Sequence, residues 1–399
     1  MRILLFTGYY PPPFNANAVR AMYIVKAFRE LGHEVTVVPL IGTSNSRGFY
    51  GESIATIREV KEQDSEEKFY KRPSLISRAS DILRKHRRTD KILSIARESS
   101  PDIVIGTLPP IEALPIAHIV TQTVGTCLIA DVQDLADDYR VLERPWLAPL
   151  IKLYFRQVYA ALREAKLVIT TTEFMQKVLI SRIGHRRVTT VPNGVDNEFY
   201  STCFEIRKKR RDELAIFLGD LNFKYHKLEV FIQALKIVKN RGVKLRLRVI
   251  GEGVLLPKLK SLAKTLGLEN DVEFLGYVKR TELPQKLGYG LFGIVGRPNK
   301  DNPWIVNTMR MTTLEYLSCG LPILAYGPAN SYTQHFIEKH SVGVYIPSND
   351  PKQVATGIEQ LLSLIRNDPN ISNKCRDVAL KHDWNILTRM FAELTTKSC

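Results

Sequence analysis

Short apolar runs alternate with longer stretches of helical periodicity along the whole chain. Residues 3–7, Ile-Leu-Leu-Phe-Thr, are continuously apolar, the pattern of a parallel strand covered on both faces. Gly8, Tyr9, Tyr10 and the prolines from Pro11 to Pro13 break that run. From Ala18 to Leu31, the residues Val19, Met22, Ile24, Val25, Phe28 and Leu31 recur at helical spacing. Val35, Val37, Val38 and Leu40 follow as a second strand. This βαβ opening carries no Gly-x-Gly-x-x-Gly, which argues against an NAD-type dinucleotide site. Further strands are predicted at 101–106, 127–130 and 166–171. Between them, Pro145 to Leu162 is amphipathic, with Trp146, Leu147, Leu150, Ile151, Tyr154, Phe155, Val158 and Leu162 on one stripe. Most of that stripe reads as core, its aromatics being available to a lipid-facing edge.

A second series begins at Leu214. Strands are predicted at 214–218, 245–250, 272–275, 292–295 and 323–325, with helices at 259–266, 283–287 and 354–365. An amphipathic tail carries Trp384, Leu387, Met390 and Phe391. Two successive runs of alternating strand and helix predict an α/β chain of two Rossmann-like, doubly wound parallel-sheet domains facing a cleft. The expected division is residues 1–198, a basic linker at 199–213, and 214–383, with 384–399 crossing back to the first domain.

The stretch Asn307 to Gly327 concentrates the chemistry. A polar loop leads to Thr312 and Thr313, both good N-cap residues, and to a short helix through Leu314, Glu315, Tyr316 and Leu317. Gly320 suits the left-handed stop and Pro322 prevents continuation. Unpaired N–H groups and the dipole at such a helix start favour phosphate. Glu315, held nearby, is placed for ribose hydroxyls. The arrangement suggests a sugar nucleotide, although an ordinary αβ unit with a solvated Glu315 fits the same local pattern.

Charge and cysteine content add less. Lys plus Arg number 57 against 41 Asp plus Glu, a net +16, which implies an acidic partner: anionic lipid, nucleic acid or a phosphorylated substrate. The basic residues concentrate at 61–98, where Lys68, Lys71, Arg72, Arg78, Arg84, Lys85, Arg87, Arg88, Lys91 and Arg97 interleave with apolar positions. Such a stretch suits an anionic membrane surface; no motif for nucleic acid accompanies it. No apolar run is long enough to span a bilayer, and the short apolar start is no signal peptide. The default expectation is a cytoplasmic protein, and the basic stretch reads either as a surface peripheral at the inner membrane face or as a helix packed on the domain with a solvated basic face. Cys127, Cys203, Cys319, Cys375 and Cys399 show no metal spacing. Their odd number argues against a full disulfide framework, and they read as incidental thiols.

Glu315-Tyr-Leu-x-x-Gly-x-Pro-Ile is similar to the donor-site signature of GT-B glycosyltransferases of family 4, the group 1 glycosyltransferases. Gly32-His33-Glu34-Val35, Val188 to Phe199 and Ile250-Gly-x-Gly253 resemble other segments of that family, so the likeness spans nearly the whole chain. It implies that Glu315 binds the nucleotide ribose and that Tyr277 and Val278 lie where backbone meets the base. The family's earlier Glu is Asn307 here. Its Gly-Arg, which with a following Lys-Gly grips the donor diphosphate, is Gly219-Asp220. His226-Lys227 stands for Lys-Gly, which leaves Lys224 and Lys227 as candidate cations. An Asp220 pointing inward would repel phosphate.

On the acceptor side, Asn15-Ala16-Asn17-Ala18 replaces the family's Gly-Gly loop, and Arg20 is a candidate phosphate partner or an ordinary helix arginine. Gln133 takes a His or Arg position. Asp134 is the candidate for contacting or deprotonating the acceptor, or else caps its loop with Asp131. The resemblance implies a metal-independent, retaining transfer with front-face attack, the leaving phosphate taking the acceptor proton. The donor is expected to be UDP- or GDP-linked, the acceptor a glycan or polyprenyl-linked sugar, and no cofactor is expected. Two other readings stand beside it. One is a GT-B sugar-nucleotide 2-epimerase, and the other a non-catalytic basic scaffold on the same frame.

Overall fold

The computed structural model describes residues 1–11, 16–42, 56–57, 90–184, 187–209 and 213–399. They group into two units, Met1–Pro192 with Asn385–Cys399, and Asn193–Trp384. The first holds strands β1 (Arg2–Tyr9), β2 (Glu34–Gly42), β3 (Thr56–Ile57), β4 (Ile103–Leu108), β5 (Cys127–Val132), β6 (Leu167–Thr170) and β7 (Val188–Thr190). They form one parallel sheet in the order β3-β2-β1-β4-β5-β6-β7. All of β4 and nearly all of β1 are buried, as expected where helices cover both faces. On one face, Ala21, Ile24, Val25 and Phe28 of the helix Ala16–Glu30 share a core with Ile3, Leu5 and Ile105. Leu387, Phe391 and Ala392 of the last helix, Trp384–Ser398, close that core.

The second unit holds β8 (Leu214–Leu218), β9 (Arg246–Ile250), β10 (Val272–Gly276), β11 (Phe292–Gly296), β12 (Ile323–Tyr326) and β13 (Gly343–Ile346). Their order, β10-β9-β8-β11-β12-β13, repeats the winding of the first sheet, and all pairings are again parallel. In each sheet the first strand, β1 or β8, lies where the direction of winding reverses. Open α/β sheets bind ligands beyond the carboxyl ends of the strands at that reversal.

Four sequence expectations need correction. The chain divides at Pro192/Asn193, ahead of the predicted 198. The basic segment taken as a linker is largely the helix Ser201–Lys209. Its Arg207 is buried and donates to the carbonyls of Gly290 and Leu291, so this charge works inside the second unit. Four of the five cysteines pair, Cys127 with Cys399 and Cys203 with Cys319, leaving Cys375 as a buried thiol whose pKa burial pushes up to about 12. Separations of 272 and 116 residues hid those pairs from any spacing argument.

The amphipathic stretch Pro145–Leu162 is the fourth. It is broken into a 3-10 turn at Pro145–Leu147 and helices Ala148–Tyr154 and Arg156–Glu164. Only its second half is core, through Phe155, Val158 and Leu162. The first half buries no residue, and Trp146 (76% exposed), Leu150 (64%), Leu153 and Tyr154 stand out from the surface. No helix among the described residues is long and apolar enough to cross a membrane.

Candidate functional site

The polar chemistry of the second unit gathers past the carboxyl end of β8. Leu218 closes that strand, and its two peptide groups are taken by side chains. Its N–H donates to the Tyr316 hydroxyl at 2.6 Å, and its carbonyl accepts from Arg310 Nη2 at 3.1 Å. The Arg310 guanidinium also lies over the Phe217 ring, 5.6 Å from its centroid. A Cβ at position 219 would meet that guanidinium at 2.5 Å; Gly219 is therefore what lets the arginine approach the strand end. Behind it, Gly251 (φ +140°) brings the turn after β9 against the Gly219 carbonyl, where no side chain fits.

Asp220 is exposed, and its Oδ1 accepts the N–H of Asn222 at 2.8 Å. The feared repulsion is thus absent, because the carboxylate is spent on its own turn. Lys224 is exposed on the 3-10 turn Lys224–His226, with no direction given to it by a partner. Lys227 has φ +51°, the left-handed conformation usually reserved for glycine. Its ammonium leans to Glu229 at 3.4 Å, while its carbonyl accepts from the Tyr326 hydroxyl at 2.8 Å. His226 is buried and bonds to the backbone of Asp220 through a ring N–H, while its Nδ1 has no partner. Burial and the charges of Arg310 and Arg297 hold its pKa far below the ordinary value, so the ring is neutral.

The helix expected from Thr312 runs Thr312–Ser318. It is capped at Met311 without any side-chain bond. Thr312 and Thr313 are not caps; their hydroxyls are buried without a partner. The polar loop before it contains a one-turn helix, Pro303–Asn307, started by Asn302. Asn307 ends that turn, donating to the Pro303 carbonyl at 2.7 Å. Glu315 points one oxygen at the hydroxyl of Tyr200, which donates to it at 2.9 Å. Burial raises the Glu315 carboxyl pKa, opposed by the Tyr200 bond and by the nearby Arg280 and Arg310. Tyr200 is itself buried, and its hydroxyl pKa lies well above the usual value for the same reason. Tyr277 is exposed beyond the end of β10, with Val278 half-buried beside it.

Arg310, His226 and Tyr200 were not legible as site residues. Arg310 sits in the polar loop before the helix with no signal of its own, and Tyr200 lies 115 residues from its partner.

In the first unit the candidates have other duties. Arg20 is not a phosphate ligand. Its guanidinium is buried and ion-paired to Asp131 at 2.8 Å, with further bonds to the carbonyls of Val191 and Pro192. Gln133 is buried too and donates to Asp131 Oδ2 at 2.8 Å. It orients that pair instead of reaching outward. Asp134 is half-buried just past the end of β5. Ala16 is exposed and Asn17 half-buried at the start of the first helix. Asn15, and the basic positions Lys68 to Arg88, lie outside the described residues; Lys91 and Arg97 are exposed on the helix at 90–99.

Comparison with known proteins shows the family and the fold. Residues 202–378 match the family described as Glycosyl transferases group 1, and residues 18–199 match Glycosyltransferase Family 4. A curated exopolysaccharide phosphotransferase from Streptomyces coelicolor is 25% identical over 159 residues, 38% of this chain but only 15% of that protein. Among solved structures, Anabaena HepE in complex with UDP has a TM-score of 0.72 at 17% identity, with both chains covered in full. Sucrose-phosphate synthase from Thermosynechococcus elongatus has a TM-score of 0.71 at 13% identity, over 100% of this chain and 98% of that one. WaaG, a glycosyltransferase involved in lipopolysaccharide biosynthesis, has a TM-score of 0.70 at 16% identity, over 99% of each. At such identities these structures show the fold, which is GT-B. With matched segments running from residue 18 to residue 378, the chain belongs to the group 1, family 4 glycosyltransferases.

Proposed function

We propose that this glycosyltransferase moves a sugar, with retention, from a UDP- or GDP-sugar to a glycan or polyprenyl-linked acceptor presented at an anionic membrane surface. The observation that carries the donor half is Glu315. A carboxylate costs stability when buried, yet this one is held by Tyr200 next to unpartnered polar groups at the winding reversal of its sheet. That is the expected form of a ribose-binding acid kept in readiness. The Anabaena relative in this fold was crystallised with UDP and with UDP and glucose, which supports a nucleotide sugar as donor.

The chemistry follows from what such a site can stabilise. Breaking the sugar–phosphate bond leaves a diphosphate bearing new negative charge. Fixed cations and hydroxyl donors in a poorly hydrated site stabilise that charge without reorganising. The acceptor hydroxyl loses its proton to the departing phosphate oxygen, on the face it attacks. Asp134, in the loop after β5, is the candidate to orient that hydroxyl.

The acceptor half rests on the exposed step at Pro145–Tyr154. From Arg144 to Arg163 the sequence carries Arg144, Lys152, Arg156 and Arg163 and no acidic residue. Exposed aromatic and leucine side chains on a segment that also exposes Arg144, Lys152 and Arg156 suit insertion among anionic headgroups.

Labelled UDP- and GDP-sugars incubated with the protein and a cell lipid extract test the whole reading. Label on lipid or glycan is expected. An isomerised free nucleotide sugar, or no change in any donor, would contradict it.

A further inference from the structure

We propose that Arg310, and not either lysine of the 224–227 turn, supplies the guanidinium that holds the donor's diphosphate. The assignment rests on the nucleotide-sugar reading above and sharpens it. Its starting point is an unbalanced charge. Among the described residues, Arg310 Nη1 is shut off from solvent without a hydrogen-bond partner, Nη2 bonds to the Leu218 carbonyl, and no carboxylate forms an ion pair with it, although Glu315 lies close enough to act on it electrostatically. A guanidinium stays protonated under all ordinary conditions. An unmatched buried charge is costly, so its persistence points to an anion that arrives later.

The neighbours fit the same anion. Thr312 and Thr313 each hold a buried hydroxyl without a partner, two and three positions along the chain from the arginine. Both can donate to phosphate oxygens. His226 adds no positive charge, being neutral, and its bare Nδ1 is an acceptor, suited to a hydroxyl rather than to a phosphate. Arg297 begins the loop after β11, the strand next to β8 at the reversal, and acts electrostatically on the same histidine. The cationic field therefore comes from the 297 and 310 positions.

The lysines are less well placed. Lys224 is solvated, and Lys227 turns to Glu229. Asp220 faces its own turn and neither helps nor hinders. A planar fork also matches a phosphate's oxygens better than an ammonium does.

Calorimetric titration of the full chain with UDP, GDP, uridine and guanosine separates the possibilities. The parent should bind one of the diphosphates far better than its nucleoside. Arg310→Met should weaken that diphosphate by about 10- to 100-fold, the worth of a charge-assisted bond. Nucleoside affinity should change less than about twofold, because the base and ribose contacts remain. Lys224→Ala and Lys227→Ala should each cost less than about threefold. Arg310→Lys, which keeps the charge but loses the fork, should fall between Arg310→Met and the parent; it also covers the case in which the methionine variant does not fold. Undiminished diphosphate binding by Arg310→Met, or loss of it in a lysine variant with Arg310→Lys at parent strength, overturns the assignment alone. A parent that binds neither diphosphate overturns the nucleotide-sugar reading, and the assignment with it.

Discussion

The two units wind their sheets in the same order, yet Arg20 of the first and Arg310 of the second are used in opposite ways. In the first, Arg20 is saturated: Asp131 takes its charge, Gln133 steadies Asp131, and two carbonyls take the remaining donors. The unpartnered buried hydroxyls of that unit, among the described residues, include Thr170 and Thr395, which carry no charge. In the second, Arg310 keeps an unsatisfied nitrogen beside a neutral His226 and two idle hydroxyls. The first arrangement stabilises the fold. The second forgoes stability and keeps its donors for a ligand, as binding sites do when polar groups are fixed before the ligand arrives.

The sharpest way to break this contrast is to remove both arginines in turn. Arg20→Met leaves Asp131 buried without a counter-charge and should destabilise the first unit by about 3–5 kcal/mol, read as a lowered midpoint in denaturant. Arg310→Met should cost the free protein about 1 kcal/mol or less, or raise its stability, since little more than one carbonyl bond is lost. Equal destabilisation by both would erase the distinction. Next in size is the response to ligand. A nucleoside diphosphate at about 100 times its Kd should stabilise the parent by about 2.7 kcal/mol in thermal melts, and Arg310→Met should show a much smaller shift at the same concentration.

A third test uses pH. His226, His340 and His382 all have pKa values lowered chiefly by burial. In the unfolded chain they protonate near 6.5, while in the folded one they resist. Their contribution is therefore present above that value and is lost as pH falls below it, by up to about 1.4 kcal/mol per pH unit for His226. His226→Gln should flatten the acid limb of the stability curve; an unchanged limb would mean the ring is not held neutral. The smallest effect concerns Glu315, whose raised pKa marks a charge that burial disfavours. Glu315→Gln should raise the melting temperature slightly at neutral pH, with the gain vanishing as pH falls below about 4.5, where the carboxyl is protonated in the unfolded chain as well as in the folded one. Nucleotide binding should weaken in the same variant, and a variant that gains stability without losing affinity would remove the ribose role.

How much of this was legible beforehand depended on whether a signal was local. The parallel strands were, because β1, β4 and β12 are buried on both faces and read as unbroken apolar runs. Glu315 was also legible, since its helix, its Gly320 stop (φ +71°) and its strand sit within a dozen residues. Periodicity alone did not say which amphipathic face would be covered, so Trp146 and Leu150 read as core. Partnerships across long separations, Arg20 with Asp131, Tyr200 with Glu315 and both cysteine pairs, left no mark in the sequence. Arg310 gave no local signal. Its meaning depends on Gly219 letting the guanidinium reach the strand end, and the fold alone brings those two together.

The central claim is that the unsatisfied groups beyond β8 are a seat for the donor's diphosphate and Glu315 for its ribose. A crystal of the protein grown with the preferred nucleoside diphosphate tests it directly. We expect phosphate oxygens within hydrogen-bonding distance of Arg310 Nη1 and of the Thr312 and Thr313 hydroxyls, with a ribose hydroxyl on Glu315. Density for the nucleotide elsewhere, with Arg310 and Glu315 untouched, would contradict it.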